Sequence, residues 1–258
     1  MVVGIERFKE AMADYADNYV IIGGTACDIV LSSTPMPPRP TKDIDMIVVV
    51  ENLTHDFVDA FWTFIHAGGY KLYKRMNVRG ELVYALYRFD HPTEAGFPFQ
   101  IELLSRHSEL LGEPSGYHIE PIPDDAEHQS LSAIIMNEEL YQFTLDHSII
   151  RDGIRLADTL ALIALKTSAY LNLVAEKAAG HHVNGDDIKK HRSDVLKLVA
   201  SGDITDPVVL PTAIYEKIDN FRRAMREDSE ESIVKTLGGN RDTYLLVMED
   251  LDELFQQE

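Results

Sequence analysis

Asp43 and Asp45, in "TKDIDMIVVV", stand one residue apart at the mouth of an otherwise apolar run. On a strand, residues i and i+2 face the same way, roughly 6.5 Å apart. The two carboxylates should therefore project together, with Ile44 pointing to the opposite face. Adjacent carboxylates repel and resist desolvation; divalent cations relieve both problems, and hard oxygen donors suit magnesium. Taken alone, the triplet has a plainer reading, a strand that starts in solvent before its core begins. Upstream, Gly23-Gly24-Thr25 sit where the apolar run "YVII" gives way to the helical pattern "GTACDIVLS". Bare backbone lets a ligand approach closely, and a helix N-terminus offers unpaired N–H groups to a phosphate. Thr25 adds a hydroxyl at or near the N-cap. Gly-Gly alone is a common tight turn; a phosphate cradle close to paired acids is the more specific combination.

Glu102 is a third acid, between Ile101 and Leu103 in "FQIELLS". It reads either as a site carboxylate or as the solvent face of an edge strand. Lys166 is a lone cation in "LALIALKTSAYL" and needs a partner or a route to solvent. Lys189, Lys190, His191 and Arg192 form the densest basic run; a solvated helix face is the plainer reading and a phosphate contact the sharper one. Arg39 and Lys42 flank the acids in the same two senses. His181 and His182 share a glycine-flanked loop and receive no role. Phe61, Trp62 and Phe64 read as core, and Cys27 as a small buried hydrophobe.

The elements that must position these residues follow from periodicity and punctuation. Helix is expected over 5–16, strand over 19–22, a helix directly after the glycines, and a proline-rich loop over 33–41. Strand 43–50 and helix 54–67 come next. Three strands, "YKLYKRM", "ELVYALYRF" and "FPFQIELLS", have no helices between them and should run antiparallel, with a turn at "NVRGE". "SAIIM", "QFTL" and "SIIRDG" read as short strands. From Ile154 the pattern becomes helical: 156–178, 185–200, 208–226, 229–236 and 240–256, with Asp186 or Asp187 placed to cap the second. The expected class is α/β, a mixed-sheet domain over 1–150 followed by a helical domain over 151–258.

The 258 residues, 45% hydrophobic, are enough for a sizeable core. Lysine and arginine number 24 against 43 acids, a net charge of −19, which disfavours a broad nucleic-acid footprint but not a local basic groove. A single cysteine excludes an internal disulfide and a cysteine-built zinc site. No apolar run has the length of a membrane span and no signal peptide is evident, so a cytoplasmic protein without membrane attachment is expected.

The stretches "GGTACDIVL", "RPTKDIDMIVV" and "FQIELL" together resemble the nucleotidyltransferase superfamily with the DNA polymerase β-type palm. Within it the chain is most similar to the AbiEii-type group, which includes toxins of bacterial toxin–antitoxin and phage-abortive systems. "LADTLALIALKTSAYLNL" and "DDIKKHRSDVLKL" resemble that group's lysine-bearing and aspartate-bearing helices. The resemblance covers roughly 18–50, 98–105 and 156–199, and it departs where Glu102 replaces the more usual aspartate. It implies transfer of a nucleoside monophosphate from an NTP to an acceptor hydroxyl on RNA, protein or a small molecule. Mg2+ or Mn2+ would be bridged by Asp43 and Asp45, with Glu102 completing the ligand set and accepting the acceptor's proton. Gly23, Gly24 and Thr25 would hold the β- and γ-phosphates and Lys166 would neutralise the triphosphate. Asp187 and Asp194 compete for the late aspartate, with Asp194 preferred. An antitoxin protein is the partner the group implies. The rival reading is a non-catalytic nucleotide-binding or interaction protein on the same fold. A phosphohydrolase with an Asp-x-Asp nucleophile is disfavoured, because these aspartates precede the apolar run.

Overall fold

The computed structural model describes residues 2–76, 82–104 and 137–258. The expected turn at "NVRGE" and the strand "SAIIM" lie outside them. The architecture is α/β, with a seven-stranded mixed sheet in the order β3-β4-β5-β2-β1-β7-β6. Its strands are β1 (Tyr19–Ile22), β2 (Asp43–Val48), β3 (Lys71–Met76), β4 (Leu82–Asp90), β5 (Gln100–Leu104), β6 (Ser148–Arg151) and β7 (Ile154–Ala157). β1 runs antiparallel to β2 and parallel to β7, and β2 runs parallel to β5. The β3-β4-β5 stretch is antiparallel, as its missing crossover helices imply.

Strand alternation divides the labour between the faces of the sheet. One face carries Tyr19, Ile44, Phe89 and Ile101, all fully buried. It packs on α1 (Ile5–Met12) and α3 (His55–Gly68), where Phe8 meets Tyr19 and Phe61 and Trp62 meet Phe89 edge-on. Phe61, Trp62 and Phe64 thus belong to the core or its margin. The opposite face looks towards α2 (Gly23–Leu31) and α5 (Thr159–Ala178), and there the acids lie.

The remaining helices among the described residues are α4 (Glu138–Asp146), α6 (Gly185–Val199), α7 (Thr212–Glu227), α8 (Glu230–Leu237) and α9 (Arg241–Glu253). Several local expectations are corrected. "QFTL" lies within α4, opened by the Asn137 side chain accepting from the Leu140 N–H. The strand expected at "SIIRDG" is present as β6, and it turns into β7 through Asp152 and Gly153, both at positive φ, a geometry that suits a two-residue hairpin. The boundary placed at residue 150 therefore cuts a hairpin whose β7 pairs with β1, and the change to helix comes at Thr159. α6 is capped by Asn184, not by Asp186 or Asp187. Val208–Leu210 is a strand, β8, which pairs with β9 (Phe255–Gln257) at the chain's end. Pro211 then sets the start of α7.

Candidate functional site

The register of the sheet sets the site. Ile22, Asp45, Glu102 and Arg88 are cross-strand neighbours in one row running over β1, β2, β5 and β4. Asp43 and Gln100 form the adjoining step on the same face. Above the row lies an open cleft of about 820 Å³, lined by these residues, by Gly23, Gly24 and Arg39, and by Lys166, Lys190 and His191 from α5 and α6.

Gly23 takes φ +69°, and a Cβ there would stand 2.2 Å from Asp45 Oδ2. Only glycine permits both the backbone and the approach of the carboxylate. A Cβ on Gly24 would press on Thr41 Oγ1 at 2.8 Å. The helix begins with the glycines themselves, with Ile22 as N-cap and no side chain capping it. Thr25 is placed differently from the expectation. It is fully buried, and its hydroxyl donates to the Asp43 carbonyl. It braces α2 against β2, and its side chain does not reach the cleft.

Asp43 and Asp45 both line the cleft while Ile44 is in the core, as a period of two requires. Burial, then the Glu102 charge beside it, raises Asp45 to about 7. Burial also raises Asp43, against the opposing pull of Lys190, Arg88, Arg39 and Lys42. Glu102 is buried, not on a solvent face, and its Oε2 is engaged by three donors: Arg88 Nε at 3.1 Å, Arg88 Nη2 at 3.0 Å and Gln100 Nε2 at 3.3 Å. Among the described residues, no three or more His, Cys, Asp or Glu side chains are grouped as metal ligands.

Lys166 finds its partner across the α5–α6 seam. Its Nζ is 2.9 Å from Asp194 Oδ2, both side chains are buried, and Arg39 Nε approaches Asp194 Oδ1 at 3.5 Å. Burial alone would raise Asp194; Lys166 and then Arg39 outweigh it and hold the carboxyl below its ordinary value. Burial pulls Lys166 down, but Asp194 and Cys27 together outweigh it and leave it raised. Asp187 instead pairs with Lys190 at 3.8 Å on its own helix. Of the two late aspartates, Asp194 is the one in contact with Lys166.

The basic run divides by helical spacing. Lys190 and His191 face the cleft, Lys189 is exposed beside Asp186, and Arg192 turns to Asp228 and Thr236. Lys42 is exposed over the Phe99 ring, and His181 pairs with Glu176 outside the cleft. Cys27 is buried, its thiol pushed up to about 12 by burial, and so is unreactive. Sequence reasoning missed Arg88, Gln100 and the cleft position of His191. Arg88 alternates with Phe89 on a strand, but only the β4–β5 register brings it to Glu102.

No protein-family model, curated protein or solved structure matches the chain. No helix among the described residues is long and apolar enough to cross a membrane.

Proposed function

We propose that the chain is a metal-dependent nucleotidyltransferase of the AbiEii-like kind, with the mixed sheet as its palm and the helices from Thr159 onward as a second domain. One observation carries this reading: the Asp45 carboxylate lies against the bare backbone of Gly23 at an uncapped helix start, and Asp43 lines the same cleft. The donor set fits Mg2+ or Mn2+, since crowded carboxylate oxygens, one of them raised to about 7 by burial and a neighbouring acid, are what a hard cation relieves. Bound there by Asp43 and Asp45, such ions supply activation of the attacking hydroxyl and neutralisation of the departing pyrophosphate.

The chain's own groups have separable tasks. The N–H groups of Gly23 and Gly24 bind phosphate oxygens at the positive end of α2. Lys166, fixed by Asp194, offers a positioned ammonium, and Arg39 and Lys190 add charge at the cleft wall. The acceptor oxygen attacks the α-phosphorus, the bond to the β-phosphate oxygen breaks with its electron pair leaving on pyrophosphate, and the hydroxyl proton passes to water in the open cleft. Glu102 Oε2, held by Arg88 and Gln100, places negative charge beside Asp45, where Glu102 would complete the ligand set of the ion. Thr25 acts through β2, not on phosphate. The resemblance extends the proposal to a toxin with an antitoxin partner and leaves the acceptor as RNA, protein or a small molecule.

The test is incubation with each α-labelled NTP and magnesium alongside pools of tRNA, protein and metabolites, with Asp45→Asn as control. Label should move to one pool with wild type and to none with the variant. If nothing is labelled and no magnesium-dependent NTP binding is found, the enzyme reading fails.

A further inference from the structure

His191 is a polar residue of the cleft that the nucleotidyl transfer chemistry leaves unused. Its side chain lines the cleft, and its Nδ1 is buried with no hydrogen-bond partner among the described residues. A buried polar atom without a partner is uncommon and calls for a ligand or a water to complete it. Burial, then Lys166, pushes its pKa down to about 3, with Lys190 and Arg39 acting in the same direction and Asp194 opposing. It is therefore a neutral imidazole among cations. It adds no positive charge for a phosphate, and its chemistry suits a neutral hydroxyl.

Position narrows the ligand. α5 and α6 are joined by a short connection and cross-linked by Lys166 and Asp194, so they run antiparallel. His191 lies three residues before Asp194, about 4.5 Å along α6, towards the part of α5 that carries Ala169 and Leu173. Leu173 lies about 10 Å beyond Lys166 along α5. Along α5 and α6 the cleft lining thus passes from Lys166, through His191 and Lys190, to Leu173. A nucleotide has the same order: triphosphate, sugar, base.

We propose that the His191 imidazole binds the 2′-hydroxyl of the nucleotide's ribose and so selects ribonucleoside over 2′-deoxyribonucleoside triphosphates. The inference rests on the nucleotidyltransferase reading above. The test is calorimetric titration of the full chain, with magnesium, using each NTP and its 2′-deoxy and 3′-deoxy counterparts. Wild type should bind the ribonucleotide roughly 3- to 10-fold more tightly than the analogue lacking the contacted hydroxyl, the worth of one neutral hydrogen bond. His191→Phe should bind both equally, while His191→Asn, with an amide near the Nδ1 position, should keep the preference. Three results would overturn the inference: no sugar preference in wild type, a preference that survives in His191→Phe, or a variant that alters base choice alone. The wild-type comparison decides the matter even if a variant does not fold. No magnesium-dependent binding of any NTP to wild type would sink the parent reading too, whereas binding without sugar preference would sink this inference alone.

Discussion

Gly23 and Asp45 occupy each other's space, and that contact ties backbone to chemistry at a single point. Gly23→Ala would place a methyl within 2.2 Å of Asp45 Oδ2 and strain a φ of +69°. It should abolish nucleotide binding and lower the melting temperature, which calorimetry and thermal denaturation would report. Asp45 carries a pH signature of its own. Its carboxyl is raised from the model-compound value of 3.8 to about 7 by burial and then Glu102. The folded state therefore binds a proton more tightly than the unfolded chain between those values, and stability falls as pH rises through that window. In chelator, Asp45→Asn should be more stable than wild type at pH 8, and the gap should close by pH 4. Each kcal/mol of relief would appear as about 2–4 °C in Tm. Magnesium should raise the Tm of wild type and leave the variant unmoved. The acids and glycines were legible in the sequence because their spacing alone puts them on one face and at one turn. Arg88 was not, because its meeting with Glu102 depends on which strands pair.

At the scale of elements, the site hangs on two attachments. Thr25 fixes the start of α2 to the Asp43 carbonyl, and the Lys166–Asp194 pair locks α5 to α6. Removing one member of a buried pair leaves the other charged and unsolvated, at roughly 3–5 kcal/mol. Asp194→Ala and Lys166→Met should each destabilise on that scale, with Arg39 softening the loss in the lysine variant. The double variant should lose clearly less than the two singles combined, a non-additivity that urea denaturation would measure. The sequence announced that Lys166 needed a partner, since an apolar helix cannot carry a bare ammonium. It left Asp187 and Asp194 as competitors, because seven residues put both on one face of one helix, and only their axial level, about 10 Å apart, decides which meets Lys166. The expected helix at 208 failed for a local reason: Pro211 ends a short strand there, and its partner β9 is more than forty residues away, beyond the reach of periodicity.

Across the whole molecule, the chain carries a net charge of −19 yet gathers Arg39, Arg88, Lys166 and Lys190 around one cleft. Set against Asp43, Asp45 and Glu102, those four cations bring the cleft close to charge balance within an acidic chain, which suits an anionic ligand without requiring a basic protein. The cleft takes its floor from the sheet and its wall from α5 and α6, so a ligand bound there should protect both parts. Hydrogen exchange should slow in β2 and in α5–α6 together on adding NTP and magnesium. The mixed α/β class was readable from runs and crossovers, but residue 150, where the sequence suggested a boundary, lies inside β6. β7 continues the sheet through Ala157, a parallel pairing with β1 that no local pattern encodes. The central claim is that Asp43 and Asp45 form a metal–triphosphate site, and calorimetric titration of NTP into wild type and Asp45→Asn, with magnesium and with chelator, tests it most directly. Saturable binding to wild type in magnesium alone, lost in the variant, is the predicted result; no binding to wild type, or binding indifferent to magnesium and to the substitution, would contradict it.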